Sequence, residues 1–298
     1  MKRDYLLRLQ EQNIAVSGNI TSKNGNAGGI VGSANSQLVI ENCSNYANIT
    51  AMSNSAGGIV GFGVYKLEDC YNEGKIQALG TERTNGQNTV GCAGGIVGSG
   101  ATMIYNCINN GEVISNISAG GIIGYKYAQT LEIVNNYNKS TVNGKSYSGG
   151  IIGETMAGNV KIYNSYNQGK VSGTNILGGI AGYKYWTTIM SIYNCYNTGN
   201  IEGTNKTKIG EIVGVCDGGE GAYENKILEL KKCYYCHNDK NPIGNKTLEG
   251  AIFKEENQMK KIDFKEELNS NKEELKQDGV DITYWKDWIQ EQNSYPTL

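Results

Sequence analysis

The chain lacks several features that common functional classes require. It has 298 residues, a net charge of −2, two prolines and three arginines, so it carries no basic excess. A nucleic-acid-binding surface needs clustered cations, and we therefore expect no nucleic-acid partner. No apolar run is long enough to cross a bilayer, which argues against membrane insertion. The scarcity of proline leaves backbone donors free for hydrogen-bonded ladders and argues against collagen and disorder.

Residue types that carry catalysis are also scarce. His237 is the only histidine, and the segment 18–214 contains a single aspartate, Asp69, and a single arginine, Arg83. Polysaccharide hydrolases and lyases, which often adopt β-helical folds, use paired carboxylates or a basic residue with bound calcium. The glutamates of this segment are scattered. The chain is therefore predicted not to be an enzyme and to have no catalytic residues, metal site or cofactor.

Glycine, in contrast, is abundant, with 41 residues, and much of it recurs in one motif. Copies of Gly-Gly-Ile-Val-Gly, with small variations, stand at Gly28–Gly32, Gly57–Gly61, Gly94–Gly98, Gly120–Gly124, Gly149–Gly153, Gly178–Gly182 and, in degenerate form, Gly210–Gly214. Their first glycines are 29, 37, 26, 29, 29 and 32 residues apart. Between the copies lies a second motif, Asn-Cys-x-Asn-x-Gly-x-Ile/Val, as at Asn106–Val113. This period is typical of solenoids and propellers, so one repeat is predicted to be one coil.

The aligned copies alternate as β-strands do. Three positions before the cysteine stands an aliphatic residue, while its neighbours, such as Lys66 and Glu132, are charged. This column contains Ile40, Leu67, Ile104, Ile133, Ile162, Ile192 and Leu230. A second apolar column contains Ile49, Ile76, Val113, Val142, Val171 and Ile201, and the Ile-Val of the glycine motif supplies a third strand. The pattern predicts an all-β, right-handed, three-sided parallel β-helix (β-solenoid) of about seven coils with a small α-containing C-terminal cap.

Three further columns are predicted to be structural. Asparagines at a turn can hydrogen-bond along a ladder of strands about 4.8 Å apart and tolerate left-handed backbone; they are Asn45, Asn72, Asn109, Asn138, Asn167 and Asn197. A glycine column is interpreted as a turn with positive φ; it contains Gly18, Gly74, Gly111, Gly169 and Gly199. A cysteine column is interpreted as buried free thiols, with disulfides between adjacent coils as the alternative; it includes Cys43, Cys70, Cys107 and Cys195.

Together the two motifs resemble those of the GLUG-repeat proteins over residues 18–239. The residues Met259–Lys261, Trp285 and Asn293–Pro296 are similar to the segment that often ends such arrays. The resemblance implies a bacterial secreted or cell-surface protein, as found beside IgA-specific metallopeptidases, with host proteins or glycans as candidate partners. It implies no catalysis, because those peptidases depend on a His-Glu-x-x-His motif. Met1–Gln12 shows no signal-peptide pattern, so the predicted location depends on the resemblance alone.

One short segment matches a cofactor motif. Cys233-Tyr234-Tyr235-Cys236-His237 fits the Cys-x-x-Cys-His pattern of covalent haem attachment. Cys233 already belongs to the repeated cysteine column, so only Cys236 and His237 are additional, and we expect no haem. A structural zinc site needs four clustered ligands, and this segment offers three.

Aromatic residues follow the glycine motif in several coils. They are Phe62, Tyr65, Tyr125, Tyr127, Tyr183, Tyr185 and Trp186. Stacked along one edge, they could form a platform for sugar rings or for a protein partner. The simpler interpretation is that they cover the turn.

The predicted organisation is an N-terminal segment or cap at 1–17, a repeat β-helix at 18–239 and a C-terminal helical cap or tail at 240–298. Within the tail, a helix over Lys254–Gln277 is expected to place Met259, Ile262, Phe264 and Leu268 on one face and to cap the last coil with Trp285, Trp288 and Tyr295. We expect a non-catalytic structural or adhesive domain. A carbohydrate-binding or carbohydrate-cleaving β-helix is the alternative, and a structural protein similar to a phage tail spike is the third hypothesis.

Overall fold

The structure of the protein, a computed structural model, describes residues 10–34, 37–81, 90–217, 228–246 and 248–298. The chain is an all-β parallel solenoid of about seven coils followed by a small C-terminal helical region, which confirms the predicted fold class. A coil passes through four parallel sheets in turn, and we name these sheets A to D in the order in which a coil visits them.

The strands are short and belong to the sheets as follows. Sheet A contains Gln10–Gln12, Val31–Ser33, Val39–Glu41, Val60–Glu68, Val97–Tyr105, Ile123–Lys126, Thr130–Val134, Ile152–Tyr163, Ala181–Tyr193, Val213–Cys216 and Leu228–Lys231. Sheet B contains Ala15–Val16, Ser44–Asn45, Tyr71–Asn72, Ile108–Asn109, Tyr137–Asn138, Tyr166–Asn167, Tyr196–Asn197, Cys233–Tyr235 and Ala251–Phe253. Sheet C contains Asn19–Ser22, Asn48–Ala51, Ile76–Ala78, Val113–Ser115, Val142–Gly144, Val171–Gly173 and Ile201–Gly203. Sheet D contains Ala27–Gly28, Ala56–Gly57, Cys92–Gly94, Ser118–Gly120, Tyr147–Gly149, Ile176–Gly178 and Ile209–Gly210. A short 3-10 helix spans Lys206–Lys208.

The prediction of three sides per coil is wrong, because each coil passes through four sheets. The Ile-Val of the glycine motif does not form a side of its own. Its second residue lies in sheet A, either in one strand with the first aliphatic column, as in Val60–Glu68, or in a separate short strand, as in Val31–Ser33. The asparagine column, predicted to lie at a turn, lies in the two-residue strands of sheet B, such as Tyr71–Asn72. Sheet D likewise contains strands as short as Ala56–Gly57. Two residues are too few to show the alternation by which strands are recognised in a sequence.

Both predicted apolar columns line the interior of the solenoid. On sheet A, Leu67 pairs in register with Ile104, and on sheet C, Ile76 pairs with Val113. All members of the two columns are at most 4% exposed. Burying one such side chain contributes about 2 kcal/mol, so the stacked aliphatic side chains are a major source of stability.

The asparagine column forms a continuous ladder of buried amides. The Nδ2 atom of each amide donates to the Oδ1 atom on the next coil, at 2.8 Å from Asn45 to Asn72 and 2.7 Å from Asn72 to Asn109. The same step repeats as far as Asn197. Each Nδ2 also donates to the backbone carbonyl two residues further on. All steps point toward the C-terminal coils, and Asn197 donates to the carboxylate of Glu211 at 3.1 Å.

Left-handed backbone occurs at another corner than the one predicted. It lies directly before the cysteine column, as at Asn106 with φ +55°, and not at the Asn45 column. Within the predicted glycine column only Gly18 has a positive φ, +101°. At Gly111 a Cβ atom would lie 2.0 Å from the carbonyl oxygen of Gly74 on the neighbouring coil. Close contact between coils, rather than backbone strain, excludes a side chain there.

The cysteine column is buried and forms no disulfides. Cys43, Cys70, Cys107 and Cys195 are all free thiols at most 1% exposed. The Sγ atom of Cys107 lies 3.2 Å from the carbonyl oxygen of Tyr105. These side chains act as small apolar groups that make one or two weak contacts with backbone carbonyls.

Residues 254–298, which we call the C-terminal strap, include the helices Glu256–Met259 and Ile262–Gln277. The strap packs on outward-facing tyrosines of sheets A and B. On sheet B, Met259, Phe264, Leu268 and Trp288 cover Tyr166, Tyr196 and Tyr234; on sheet A, Leu275 and Trp285 cover Tyr105, Val134, Tyr163 and Tyr193. Left-handed asparagines hold its backbone, since Asn164 Nδ2 donates to the carbonyl of Lys286 at 3.0 Å.

The position of this helical region differs from the predicted one. It lies along the side of the solenoid, and Ile262, predicted to share one apolar face with Met259, Phe264 and Leu268, is 50% exposed. The last coil is covered by the segment before the strap, where Ile243 enters the interior and Ala251–Phe253 pairs with sheet B. Pairing therefore extends past the predicted boundary at 239. It also begins before 18, at Gln10–Gln12, while residues 1–9 lie outside the described residues.

Candidate functional site

The seven predicted aromatic residues do not form one stack. Phe62, Tyr125 and Tyr183 share a column of sheet A, but Ser99 and Glu154 separate them on the intervening coils. Rings two coils apart are about 10 Å from each other and cannot stack. Tyr125 is only 1% exposed, so its ring is closed to a ligand.

The remaining predicted aromatics differ in exposure and grouping. Tyr65 is half-buried, whereas Tyr127 is 56% exposed. Tyr183, Tyr185 and Trp186 lie together on the sheet A strand Ala181–Tyr193. The ring centroids of Tyr183 and Tyr185 are 5.8 Å apart, and those of Tyr185 and Trp186 are 5.6 Å apart, both edge to face.

Tyr183 also belongs to a cleft that the sequence analysis missed. Its ring stacks on Tyr147 of sheet D, with centroids 5.1 Å apart and planes 9° apart. The two rings line a cleft of about 780 Å³ near the C-terminal end of the solenoid. The other lining residues are Asn175, Ile176, Thr207, Lys208, Val215, Asp217, Asn241, Gly244, Asn245 and Lys246.

The polar groups of the cleft are arranged around Asp217. The Tyr183 hydroxyl donates to Asp217 Oδ2 at 2.5 Å. Burial, and then this hydrogen bond, raise the pKa of Tyr183, so its phenol stays protonated at neutral pH. The buried Lys184 donates from Nζ to the backbone carbonyl of Asp217 at 3.2 Å. Because Lys208 and Lys246 also line the cleft, its described walls carry two amines and one carboxylate. Such walls suit a ligand rich in hydroxyl groups or carrying negative charge.

The cysteine and histidine segment does not form the haem site that its spacing resembles. Cys233 lies in the interior core, whereas Cys236 packs against the outer aromatic cluster under the strap. The two thiols therefore lie on opposite sides of the wall and cannot reach one haem. Among the residues that the structure describes, no three His, Cys, Asp or Glu side chains are placed to hold a metal ion. The described helices also include none that is long and apolar enough to span a membrane.

Fold and cleft together define a parallel β-solenoid with an aromatic and polar cleft near one end. Neither a protein-family model nor a curated protein matches the chain. In structure, the chain is similar to a putative immunoglobulin A1 protease from Bacteroides ovatus, with a TM-score of 0.51 and 24% sequence identity. The match covers 95% of this chain and 74% of the solved one. A likeness at this identity shows a shared fold and nothing about activity.

Proposed function

We propose that the chain is a structural and adhesive repeat domain of the GLUG type, carried by a bacterial secreted or cell-surface protein, and that it is not an enzyme. The observation that carries the proposal is the use of the repeated positions. Aliphatic residues, amides and glycines of each repeat pack one coil on the next, as Leu67, Asn72 and Gly74 do. A chain built in this way provides an extended rigid surface.

A second candidate function is carbohydrate binding at the cleft. The stacked rings of Tyr147 and Tyr183 provide apolar surface beside asparagine and lysine side chains, a combination that suits sugar rings and their hydroxyl groups. The two lysines favour an acidic saccharide over a neutral one.

Binding without cleavage is the proposal, because hydrolysis of a glycosidic bond requires two carboxyl groups in defined positions. Asp217 is the only carboxylate among the described lining residues, and it already accepts the hydroxyl of Tyr183. The described walls of the cleft therefore lack the pair of facing carboxyl groups that would act as general acid and nucleophile.

The test is a binding screen of the purified chain against host matrix proteins and against neutral and acidic glycans, with release of reducing sugars assayed in parallel. Saturable binding without product is expected. Tyr147→Ala should weaken glycan binding at least about tenfold, because it removes most of an aromatic ring from the cleft. Tyr46→Ala is the matched control, since Tyr46 is 50% exposed and does not line the cleft. Release of sugar ends would contradict the non-catalytic proposal, and equal losses in both variants would contradict binding at the cleft.

The proposed location is tested separately from binding. Antibodies to the chain should label intact cells of the source bacterium or detect the protein in the culture medium. Labelling only after lysis would contradict secretion and surface display, whatever the binding screen shows.

A further inference from the structure

Cys236 differs in environment from the other cysteines. The other seven thiols are buried, whereas Cys236, which follows the last column cysteine Cys233 after two tyrosines, is partly exposed. Its neighbour His237 is also partly exposed, with 30% of its side chain accessible. Cys236 is therefore the thiol that a reagent in solution can reach.

The imidazole of His237 contacts both this thiol and a buried carboxylate. Cys236 Sγ is 3.9 Å from Nε2 and 4.0 Å from Nδ1 of the His237 ring. The same Nδ1 atom is 3.3 Å from Glu211 Oε2. Thiol, imidazole and carboxylate, the three groups that activate a cysteine nucleophile, are thus in mutual contact through the imidazole.

Glu211 occupies an unusual position, because the repeat has glycine there. Its side chain is fully buried, and Oε2 also accepts the last amide of the ladder, Asn197. Its other oxygen, Oε1, accepts no hydrogen bond from the described residues and lies 3.8 Å from Lys240 Nζ. A buried carboxylate that is only partly paired strongly favours a cation beside it. Contact with Cys236, and then the hydrogen bond to Glu211, raise the pKa of His237 to about 10.

Further charged and titratable groups near Cys236 and His237 belong to the segment after His237 and to the C-terminal strap. Lys240 also pairs with Asp239 at 2.8 Å. From the strap, the Tyr295 hydroxyl donates to Glu256 Oε1 at 3.0 Å. Burial, the bond to Glu256 and contact with Cys236 raise the pKa of Tyr295, so this phenol remains neutral beside the thiol. Lys260 pairs with Glu256 on the same side, and His237 is the basic residue in direct contact with Cys236.

We infer that Cys236 is a reactive cysteine, in contact with the imidazole of His237 and through it with Glu211, and that it undergoes thiol–disulfide exchange with small disulfides. The Cys236 thiolate attacks one sulfur of the disulfide, a new sulfur–sulfur bond forms, and the original one breaks. The second sulfur leaves as a thiolate, which is protonated by solvent. The disulfide is the oxidant, and the product is a mixed disulfide on Cys236.

The test uses dithiobis(nitrobenzoate), an aromatic disulfide that releases a coloured thiolate. The folded protein should release one equivalent rapidly, and peptide mapping should place the adduct on Cys236. Cys236→Ser should abolish this phase, and the buried Cys216→Ser, the matched control, should leave it unchanged. His237→Gln should slow it about tenfold near neutral pH and change its pH profile, because a neutral amide cannot stabilise the negative charge of the attacking sulfur.

Glu211→Gln provides a second, independent variant, expected to act in the same direction as His237→Gln. Circular dichroism establishes that each variant is folded. A wild-type rate and pH profile in folded His237→Gln would overturn the inference, because Cys236 would then be an ordinary exposed thiol. The absence of a fast equivalent in the wild-type protein would overturn it as well.

Discussion

Removing one amide from the centre of the ladder should destabilise the protein far more than its small size suggests. Asn109 accepts a hydrogen bond from Asn72 at 2.7 Å and donates one to Asn138 at 2.7 Å. It also accepts from the backbone N–H of Gly111 at 3.2 Å and donates to the Gly111 carbonyl at 2.9 Å. Asn109→Ala therefore leaves four buried polar groups without one of their partners.

The magnitude follows from the cost of leaving such groups unpaired. Each costs about 1–3 kcal/mol when it is fully buried. Because the cavity left by the side chain can admit water to some of them, we expect Asn109→Ala to lower the free energy of unfolding by about 4 kcal/mol. Asn109→Asp keeps the volume but cannot donate to Asn138, so a comparable loss is expected from it.

The assay is urea unfolding, followed both by circular dichroism, which reports the sheets, and by tryptophan fluorescence in a Trp186→Phe background, which reports the strap through Trp285 and Trp288. Coincident transitions would establish a single cooperative unit, which a repeat protein does not guarantee. The exposed neighbour Asn110 supplies the control, and Asn110→Ala should change the free energy by less than about 0.5 kcal/mol. If Asn109→Ala were as mild as this control, the ladder would contribute nothing to stability and the reasoning would be refuted.

Three further predictions concern other buried groups. Burial lowers the pKa of Lys126 from 10.5 to about 8, so between these values the unfolded chain binds more protons and stability rises with pH. Lys126→Met should stabilise the protein by about 1–3 kcal/mol in urea unfolding at pH 7, with the difference shrinking toward pH 10; a constant difference would contradict the assignment. Gly111→Ala should lower the free energy of unfolding by at least about 3 kcal/mol or prevent folding, because its Cβ atom would lie 2.0 Å from a carbonyl oxygen. Gly25→Ala is the control. Its Cβ atom would lie 3.4 Å from the nearest atom, so the same assay should show only a small change. Trp288→Ala should weaken the packing of the strap by about 3–5 kcal/mol, so a protease should cleave the strap faster while the coils stay intact. Ile289→Ala is the control, because Ile289 is 62% exposed, and equal cleavage in both variants would contradict the packing role.

The repeat, the parallel solenoid and the two aliphatic columns could be predicted because strands such as Leu228–Lys231 carry visible alternation. The number of strands per coil could not, because a strand such as Tyr71–Asn72 has the composition of a turn. The position of the strap on the side of the solenoid could not be predicted either. It depends on contacts between outward-facing tyrosines, such as Tyr166, and strap residues about a hundred positions later, and no local pattern in the sequence indicates these contacts.

The cleft was missed for a related reason. Tyr147 occupies a column of sheet D that holds Cys92, Ser118 and Ile176 in neighbouring coils, so only a column-by-column comparison of side-chain size would have singled it out. Glu211 left a clearer signal, since it replaces a glycine in the degenerate copy of the motif. Such departures from a repeat are where the individual properties of the chain are found.

The direction of the amide ladder gives the array a defined end. Each internal amide accepts a hydrogen bond from the coil before it and donates one to the coil after it. Whole coils between Asn45 and Asn197 can therefore be gained or lost without changing either end of the ladder. Glu211 is different, because an ionised carboxylate accepts from Asn197 but has no hydrogen to pass on. In evolution, the module can change length by duplicating internal coils, while the residue that stops the growth stays at its terminus.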